Sequence, residues 1–331
     1  VLFFSSLGRV YKEKVWRLPI AAPQARGKPL INILPIEQGE LMTSILPLPE
    51  DESTWGNLDV MFSTTKGTVR RNKLSDFVDV RRSGIIAMKL ADGEGIVDVQ
   101  VCTERDDVLL TTAQGQCIRF AVTDVRVFSG RTSMGVRGIN LAEGDKVIAQ
   151  SILRHLDVTA EERLAYLKRA NAVRRGQGGE EPEEVVVDAE DAQAATTEIE
   201  LGEQRYVEMS EAEQLILTIS ERGYGKRSSS YEYRITNRGG KGIVAMAIWE
   251  GKKGAETIKE KIGLLVGSFP VEESDQLMLV TDGGKLIRTP VNGIRIAGRS
   301  TQGVIVFNTA DDEKVVSVER IGEEGEDSGG N

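Results

Sequence analysis

Five times along this chain an apolar run gives way to a polar turn closed by glycine, and a second apolar run follows with a cation at a fixed place. The copies are VLFFSSLGRVYK (1–12), VMFSTTKGTVRR (60–71), VLLTTAQGQCIR (108–119), LILTISERGYGKR (215–227) and LMLVTDGGKLIR (277–288). Lys12, Arg71, Arg119, Arg227 and Arg288 stand four residues after Gly8, Gly67, Gly115, Gly223 and Gly284. Short β-branched runs joined by glycine turns predict strand hairpins. Repetition on this scale predicts a propeller, a solenoid or an array.

The remainder of each copy matches as well. A basic-and-glycine element leads into a further apolar strand: QARGKPLINIL (24–34), VRRSGIIAMKL (80–90), GRTSMGVRGINL (130–141), NRGGKGIVAMAI (237–248) and GRSTQGVIVF (298–307). A last strand closes the copy: MTSILPL (42–48), GIVDVQV (95–101), KVIAQSIL (146–153), GLLVGSF (263–269) and KVVSVERI (314–321). Four strands per copy predict an all-β, propeller-like disc of about five four-stranded blades. The first three blades span 1–153 and the last two 215–321.

Between them lies an insertion at 154–214. Thr159 and Glu162 have capping-box spacing, which predicts one short helix over about 160–175. The stretch 176–205 is rich in Gly, Glu and Ala, has little to bury and is expected to be a mobile loop. Residues 322–331 form an acidic tail. Both acidic segments read as solvated filler or as competitors of a polyanion for the basic blades. On the second reading, deleting 176–205 tightens DNA binding at low salt.

Charge sharpens the picture. The net charge is −9, yet the repeats are not acidic. Residues 1–150 carry 19 basic and 18 acidic side chains, 215–321 carry 16 and 13, and 154–214 with the tail hold the excess acid. Such asymmetry suits a nucleic-acid binder with acidic accessory segments. One offset from a turn puts a residue on the same strand face in every blade. The cation column is therefore expected to face outward as a row of phosphate contacts, supplemented by Arg9, Arg70, Lys226 and Lys285. Protection of exposed sheet edges is the competing reading. The glycine elements add Arg26 and Lys28, Arg81 and Arg82, Arg131 and Arg137, Arg238 and Lys241, and Arg295 and Arg299. Such contacts give affinity without reading base sequence. Aromatic residues make up 5% of the chain, too few for the stacking platforms of single-strand binders, which argues for a nucleic-acid duplex over a single strand, bent to follow the cations.

Other chemistries find little support. The one histidine, His155, opens the insertion; no serine or cysteine stands in a nucleophile motif, and no P-loop spacing occurs. The run GGKG (239–242) precedes a strand rather than a helix, so it does not read as a nucleotide loop. Asp106–Asp107 and Asp311–Asp312 read as turn residues, no metal site is expected, and no cofactor is expected in this chain. Cys102 and Cys117 sit in apolar strand contexts and are expected to stay reduced. No apolar run is long enough to span a membrane. The chain opens inside a strand without an initiator Met and is read as part of something longer.

At the stretches 25–40, 132–147, 222–233 and 281–305 the chain resembles the C-terminal domain of the A subunit of DNA gyrase, a bacterial type II topoisomerase. The resemblance covers nearly everything outside 154–214. It implies a β-pinwheel whose blades exchange strands and which wraps double-stranded DNA in support of ATP-driven negative supercoiling. It also implies partnership with the rest of the gyrase A subunit, plus the gyrase B subunit. A cytoplasmic, nucleoid-associated location follows from the same resemblance, with ATP and Mg only in the holoenzyme. The DNA-cleaving tyrosine of the family lies outside this segment, so none of the six tyrosines takes that role. The family's QRRGGKG box has one degenerate counterpart here, Asn237-Arg238-Gly239-Gly240-Lys241-Gly242, on the fourth repeat. The related domain from the A subunit of topoisomerase IV is one alternative, and a protein-interaction propeller is the other.

Overall fold

The computed structural model describes residues 1–22, 25–176, 187–197, 199–250, 259–260, 262–310 and 312–322. Each repeat opens with the expected hairpin. In the first, β1 (Leu2–Ser5) and β2 (Arg9–Lys12) are followed by β3 (Met42–Leu46). The second has β4 (Asp59–Thr64), β5 (Thr68–Lys73), β6 (Ile85–Ile86) and β7 (Ile96–Cys102). The third has β8 (Asp106–Thr112), β9 (Gln116–Ala121), β10 (Val136–Arg137) and β11 (Val147–Arg154). The fourth has β12 (Leu215–Ser220), β13 (Tyr224–Ser229), β14 (Ile243–Val244), a small hairpin of β15 (Trp249–Glu250) and β16 (Lys259–Glu260), and β17 (Leu265–Val271). The fifth has β18 (Gln276–Thr281), β19 (Leu286–Pro290), β20 (Val304–Ile305) and β21 (Val315–Ile321).

Sheet membership does not follow repeat membership. Three strands of each repeat pair antiparallel, and the fourth strand of each blade comes from the next repeat: β2 takes β6, β5 takes β10, β9 takes β14 and β13 takes β20. Counting strands per copy places all four strands of a blade in one repeat, whereas the resemblance implies exchange; the structure has the exchange, because the end of the basic-and-glycine element in the second to fifth repeats reaches back to the preceding hairpin. The fifth blade, β19-β18-β21, therefore has three strands among the described residues.

The turn glycine has a defined task in this exchange. Gly8, Gly67, Gly115, Gly223 and Gly284 all have φ between +76° and +84°, a left-handed conformation that costs glycine little. In the first four, the incoming strand also brings a carbonyl oxygen to within 2.2 to 3.1 Å of where a Cβ would stand. No other residue fits there.

Two compact units divide the chain. The first holds Val1–Leu110, Phe120–Ile152 and Asn237–Lys241, and the second holds Thr111–Arg119, Leu153–Thr236 and Gly242–Asn331. In the first unit, alternate residues of β1, β2 and β4 meet Trp55, Leu74 and Phe77 in one core. Phe4 sits edge-on to Phe62 and Phe77 at 5.5 and 5.6 Å. Beside this core, the Asp98 carboxylate accepts hydrogen bonds from Ser44 Oγ (2.6 Å), Gln100 Nε2 (2.6 Å) and the Val99 amide (2.7 Å). Burial nevertheless pushes its pKa above the usual carboxylate range. An acid with a raised folded-state pKa favours folding while protonated and opposes it once ionised. Asp98→Asn is therefore expected to raise the thermal midpoint at pH 7, and to abolish the loss of stability that the parent protein shows as pH rises through the Asp98 pKa. A lower midpoint for the variant at pH 7 would show that the carboxylate's hydrogen bonds outweigh its desolvation.

In the second unit, β12, β17, β18 and β21 enclose Leu217, Ile219, Leu277, Leu279 and Val318. The insertion folds as well. Helix α1 (Ala160–Gly176) begins with a reciprocal capping box: Thr159 N donates to Glu162 Oε2 and Glu162 N to Thr159 Oγ1. Helices α2 (Ala192–Ala195) and α3 (Glu203–Ala212) follow. Tyr166, Leu167 and Ala170 pack with Leu201, Met209 and Tyr231. The expectation of a bare loop over 176–205 is thus corrected for 187–197 and 199–205, which have apolar and ionic partners; residues 177–186 and the tail 323–331 lie outside the described residues. No helix among the described residues is long and apolar enough to cross a membrane.

Candidate nucleic-acid interface

Four of the five members of the cation column do not face outward. Arg71, Arg119 and Arg227 are buried and Lys12 is half-buried. Each reaches carbonyl groups in the turn that opens the next repeat's second half. Lys12 Nζ donates to Val78 O at 2.8 Å and pairs with Glu52. Arg71 points to the Val122 and Val125 carbonyls and pairs with Asp59 at 2.5 Å and Glu104 at 2.8 Å. Arg119 donates to Ser230 O, Tyr233 O and Arg154 O. Arg227 donates to Ile294 O and Asn292 O and pairs with Glu273. The expectation of a phosphate-binding column is therefore corrected for these four. Five fixed donors in a planar fork satisfy a turn's carbonyls at once, and burying them beside unpaired carbonyls is favourable where exposing them is not needed. Arg288 is exposed; its Nε donates to Gln276.

The neighbouring column behaves alike. Arg70 is buried and donates to the carbonyls of Gly130 and Ser133, with Phe128 4.9 Å from its guanidinium; burial lowers its pKa. Lys226 is buried and donates to Gly298 O, Arg299 O and Thr301 O. Arg299 is buried too, held by Glu232 O, Val244 O and Asp188. None of these three is available to an outside anion, which corrects their assignment. Arg9 is half-buried, with bonds to Tyr11 Oη and Ser83 O. Lys285 is exposed but paired with Glu313 at 2.6 Å. Buried cations thus hold the loops 129–133 and 298–301 in shape from beneath.

What those loops present is different. In the first unit, three basic-and-glycine loops follow one another. Arg81, Arg82 and Lys89 are exposed on the first, Arg137 on the second and Lys241 on the third, with Arg131 half-buried on the second. The loops are joined through their backbones: Lys89 N donates to Ser133 O, Asn140 N to Gly240 O and Gly239 N to Gly138 O. Arg238 spends its guanidinium on Arg137 O and Asp124 O, so in the degenerate box 237–242 it orients the loop while the exposed Lys241 points to solvent. Asp79, Arg81, Ser83, Gly84 and Arg131 line a cleft of about 480 Å³. Arg131 Nη1 is buried with no hydrogen-bond partner among the described residues. A buried guanidinium nitrogen without an acceptor is the kind of group an anion satisfies. The sequence reading missed Lys89 and Arg126, both exposed beside this chain of loops, with Arg126 4.0 Å from the Phe128 ring. Their place next to the glycine elements was the available signal. Arg26 and Lys28 are exposed on the first repeat's element.

In the second unit the insertion takes the place of an anion. Asp188 pairs with Arg299 at 2.5 Å and Arg234 at 3.4 Å, and Asp191 pairs with Arg163. Removing 176–205 therefore strips buried arginines of their carboxylates, and the deletion cannot report on competition alone. A buried cation left unpaired destabilises the fold it sits in.

Comparison with known proteins agrees with this architecture. A family model described as "DNA gyrase C-terminal domain, beta-propeller" matches residues 1–49, 58–103, 106–149, 214–272 and 275–321, leaving out the insertion. The A subunit of DNA gyrase from Granulibacter bethesdensis is 47% identical over 324 residues, which is 96% of this chain and 33% of the relative. Its counterpart in Escherichia coli K12 is 36% identical over 323 residues, 98% of this chain and 29% of the relative. The chain thus spans about a third of the length of these relatives. Among solved structures, the C-terminal domain of DNA topoisomerase IV superposes with a TM-score of 0.69 at 20% identity, covering 97% of this chain and 78% of that one. A DNA gyrase A C-terminal domain superposes at 0.63 and 19%, covering 96% and 81%. Repeats, exchanged strands and sequence matches lead to one conclusion: the chain belongs to the β-propeller family of DNA gyrase C-terminal domains.

Proposed function

We propose that this chain is a non-catalytic DNA-binding and DNA-bending domain that supports ATP-dependent negative supercoiling by a gyrase holoenzyme in the bacterial cytoplasm. The strand cleavage and ATP chemistry, with its Mg, belong to the rest of the gyrase A subunit, together with the B subunit. The observation that carries this reading is the run of three cationic loops in the first unit, the first two of which line a cleft with Arg131, whose Nη1 is buried without a hydrogen-bond partner among the described residues. Cations beside glycine backbone suit phosphate, and phosphate contacts hold a duplex without regard to sequence. A duplex that touches all three loops curves to do so, which makes deformability part of the affinity. Identity of 47% with a gyrase A subunit favours gyrase over topoisomerase IV, whose likeness here is one of fold.

A salt titration tests the proposal. Duplex affinity is expected to fall steeply between roughly 50 and 200 mM salt, as counterions released from phosphates return. Affinity independent of salt, or no measurable binding, would favour the protein-interaction propeller. Relaxing circular DNA with a topoisomerase in the presence of the chain then reads out wrapping as a change in linking number.

A further inference from the structure

Resting on the DNA-binding reading above, we propose that the second unit holds a further phosphate seat, at Arg299 and Arg234, and that the insertion's own Asp188 fills it in place of DNA. The seat follows from a comparison of two repeats. Arg131 and Arg299 each follow a loop glycine, Gly130 or Gly298, and each stands five residues before an exchanged strand, β10 or β20. Both loops rest on a buried cation placed three residues after a turn glycine. Arg70 donates to Gly130 O and Ser133 O, and Lys226 donates to Gly298 O, Arg299 O and Thr301 O. The same backbone, held from below in the same way, carries an arginine at the same position in both places.

Each arginine has one nitrogen left over from the fold. Arg131 lines the cleft of about 480 Å³ with Ile85 of β6, and its buried Nη1 has no hydrogen-bond partner among the described residues. Asp79 lines the same cleft yet accepts nothing from that nitrogen. Arg299 gives its Nε to Glu232 O at 2.8 Å and its Nη1 to Val244 O, on β14, at 2.6 Å. Its remaining Nη2 meets Asp188 Oδ1 at 2.5 Å, and Arg234 Nε stands 3.4 Å from the other oxygen of that carboxylate. Two guanidinium groups converging on two oxygens of one acid is also the way arginines hold a phosphate.

Asp188 is held there by its charge. It stands at the N-cap of the short turn Ala189–Asp191, where an aspartate ordinarily accepts from an amide of that turn, yet its side chain makes no such bond. Val187 and Ala189 on either side are exposed, so no apolar burial fixes this point of the chain. Three residues on, Asp191 pairs with the buried Arg163 and anchors the segment independently. The Asp188 carboxylate therefore leaves without unfolding the insertion. A duplex phosphate then takes its place, and the arginines exchange one anion for another with no buried cation left bare. Until that exchange Arg299 is closed to an outside anion, which makes the contact an autoinhibitory one.

Duplex titrations of the 331-residue chain test it. Asp188→Asn keeps an acceptor oxygen over Arg299 but removes the competing charge. Its duplex affinity is expected to tighten about tenfold, the worth of one charge-assisted hydrogen bond. Glu200→Gln removes an exposed carboxylate from the same insertion, and less than a twofold change is expected from it. Hydrogen exchange on the parent chain gives a second readout that needs no variant. With saturating duplex at low salt, the amides of 189–197 are expected to exchange faster than in the free chain. An Asp188→Asn chain no tighter than the parent, equal tightening by Glu200→Gln, or amides that exchange no faster with DNA bound would each overturn the proposal. Duplex binding by the parent with Asp188→Asn unchanged removes this inference alone, whereas no binding by the parent removes the DNA-binding reading with it.

Discussion

Arg71→Ala is expected to lower the unfolding free energy of the first unit by about 3 to 5 kcal/mol, the usual cost of removing one partner from a buried ion pair. Arg71 and Asp59 are each about 3% exposed, so water cannot replace what the guanidinium supplies, and the Val122 and Val125 carbonyls lose a donor as well. Trp55, buried in the same core, gives a fluorescence signal for urea unfolding. Arg288→Ala serves as the contrast. It removes the same residue type from the same column at an exposed position, and its expected change is within about 0.5 kcal/mol. If Arg71→Ala instead kept full stability and lost DNA affinity, the column would be a ligand surface after all, with no structural role.

The opposite profile is expected at the loops. Replacing Arg82, Arg137 and Lys241 together with alanine removes three exposed cations whose side chains stand in solvent. Duplex affinity at about 0.1 M salt is expected to drop tenfold or more, and the slope of log K against log salt to flatten by roughly 2.7, about 0.9 for each phosphate no longer neutralised. Urea midpoints stay where they were. Fluorescence anisotropy with a labelled duplex of mixed sequence reads both quantities, and a second duplex of different sequence should weaken equally. A slope unchanged by the triple substitution would place the DNA elsewhere on the molecule.

These two experiments separate roles that look identical in the sequence. Arg71 and Arg82 both follow the turn glycine Gly67 within the same repeat. The first lies on β5 under the turn of the next repeat; the second lies on a loop beyond that strand. A cation at a fixed offset shows that some partner recurs at each repeat. It does not show whether that partner is a phosphate outside or a carbonyl inside.

What the sequence by itself determined was local and periodic. Apolar alternation and turn glycines placed the hairpin strands within a residue or two, because pleat and turn geometry are properties of short stretches of chain. Thr159 and Glu162 announced the start of α1 for the same reason. Tertiary structure alone decided the rest. Two-residue strands such as β6 and β14 carry too little pattern to reveal that they cross to the preceding blade. The burial of Arg71, Arg119 and Arg227 follows from that crossing, because it lays the next repeat's turn over the strand face the arginines occupy. The folding of 187–205 likewise depended on Arg163, Arg234 and Arg299, charges distant in sequence that give Asp188 and Asp191 somewhere to go.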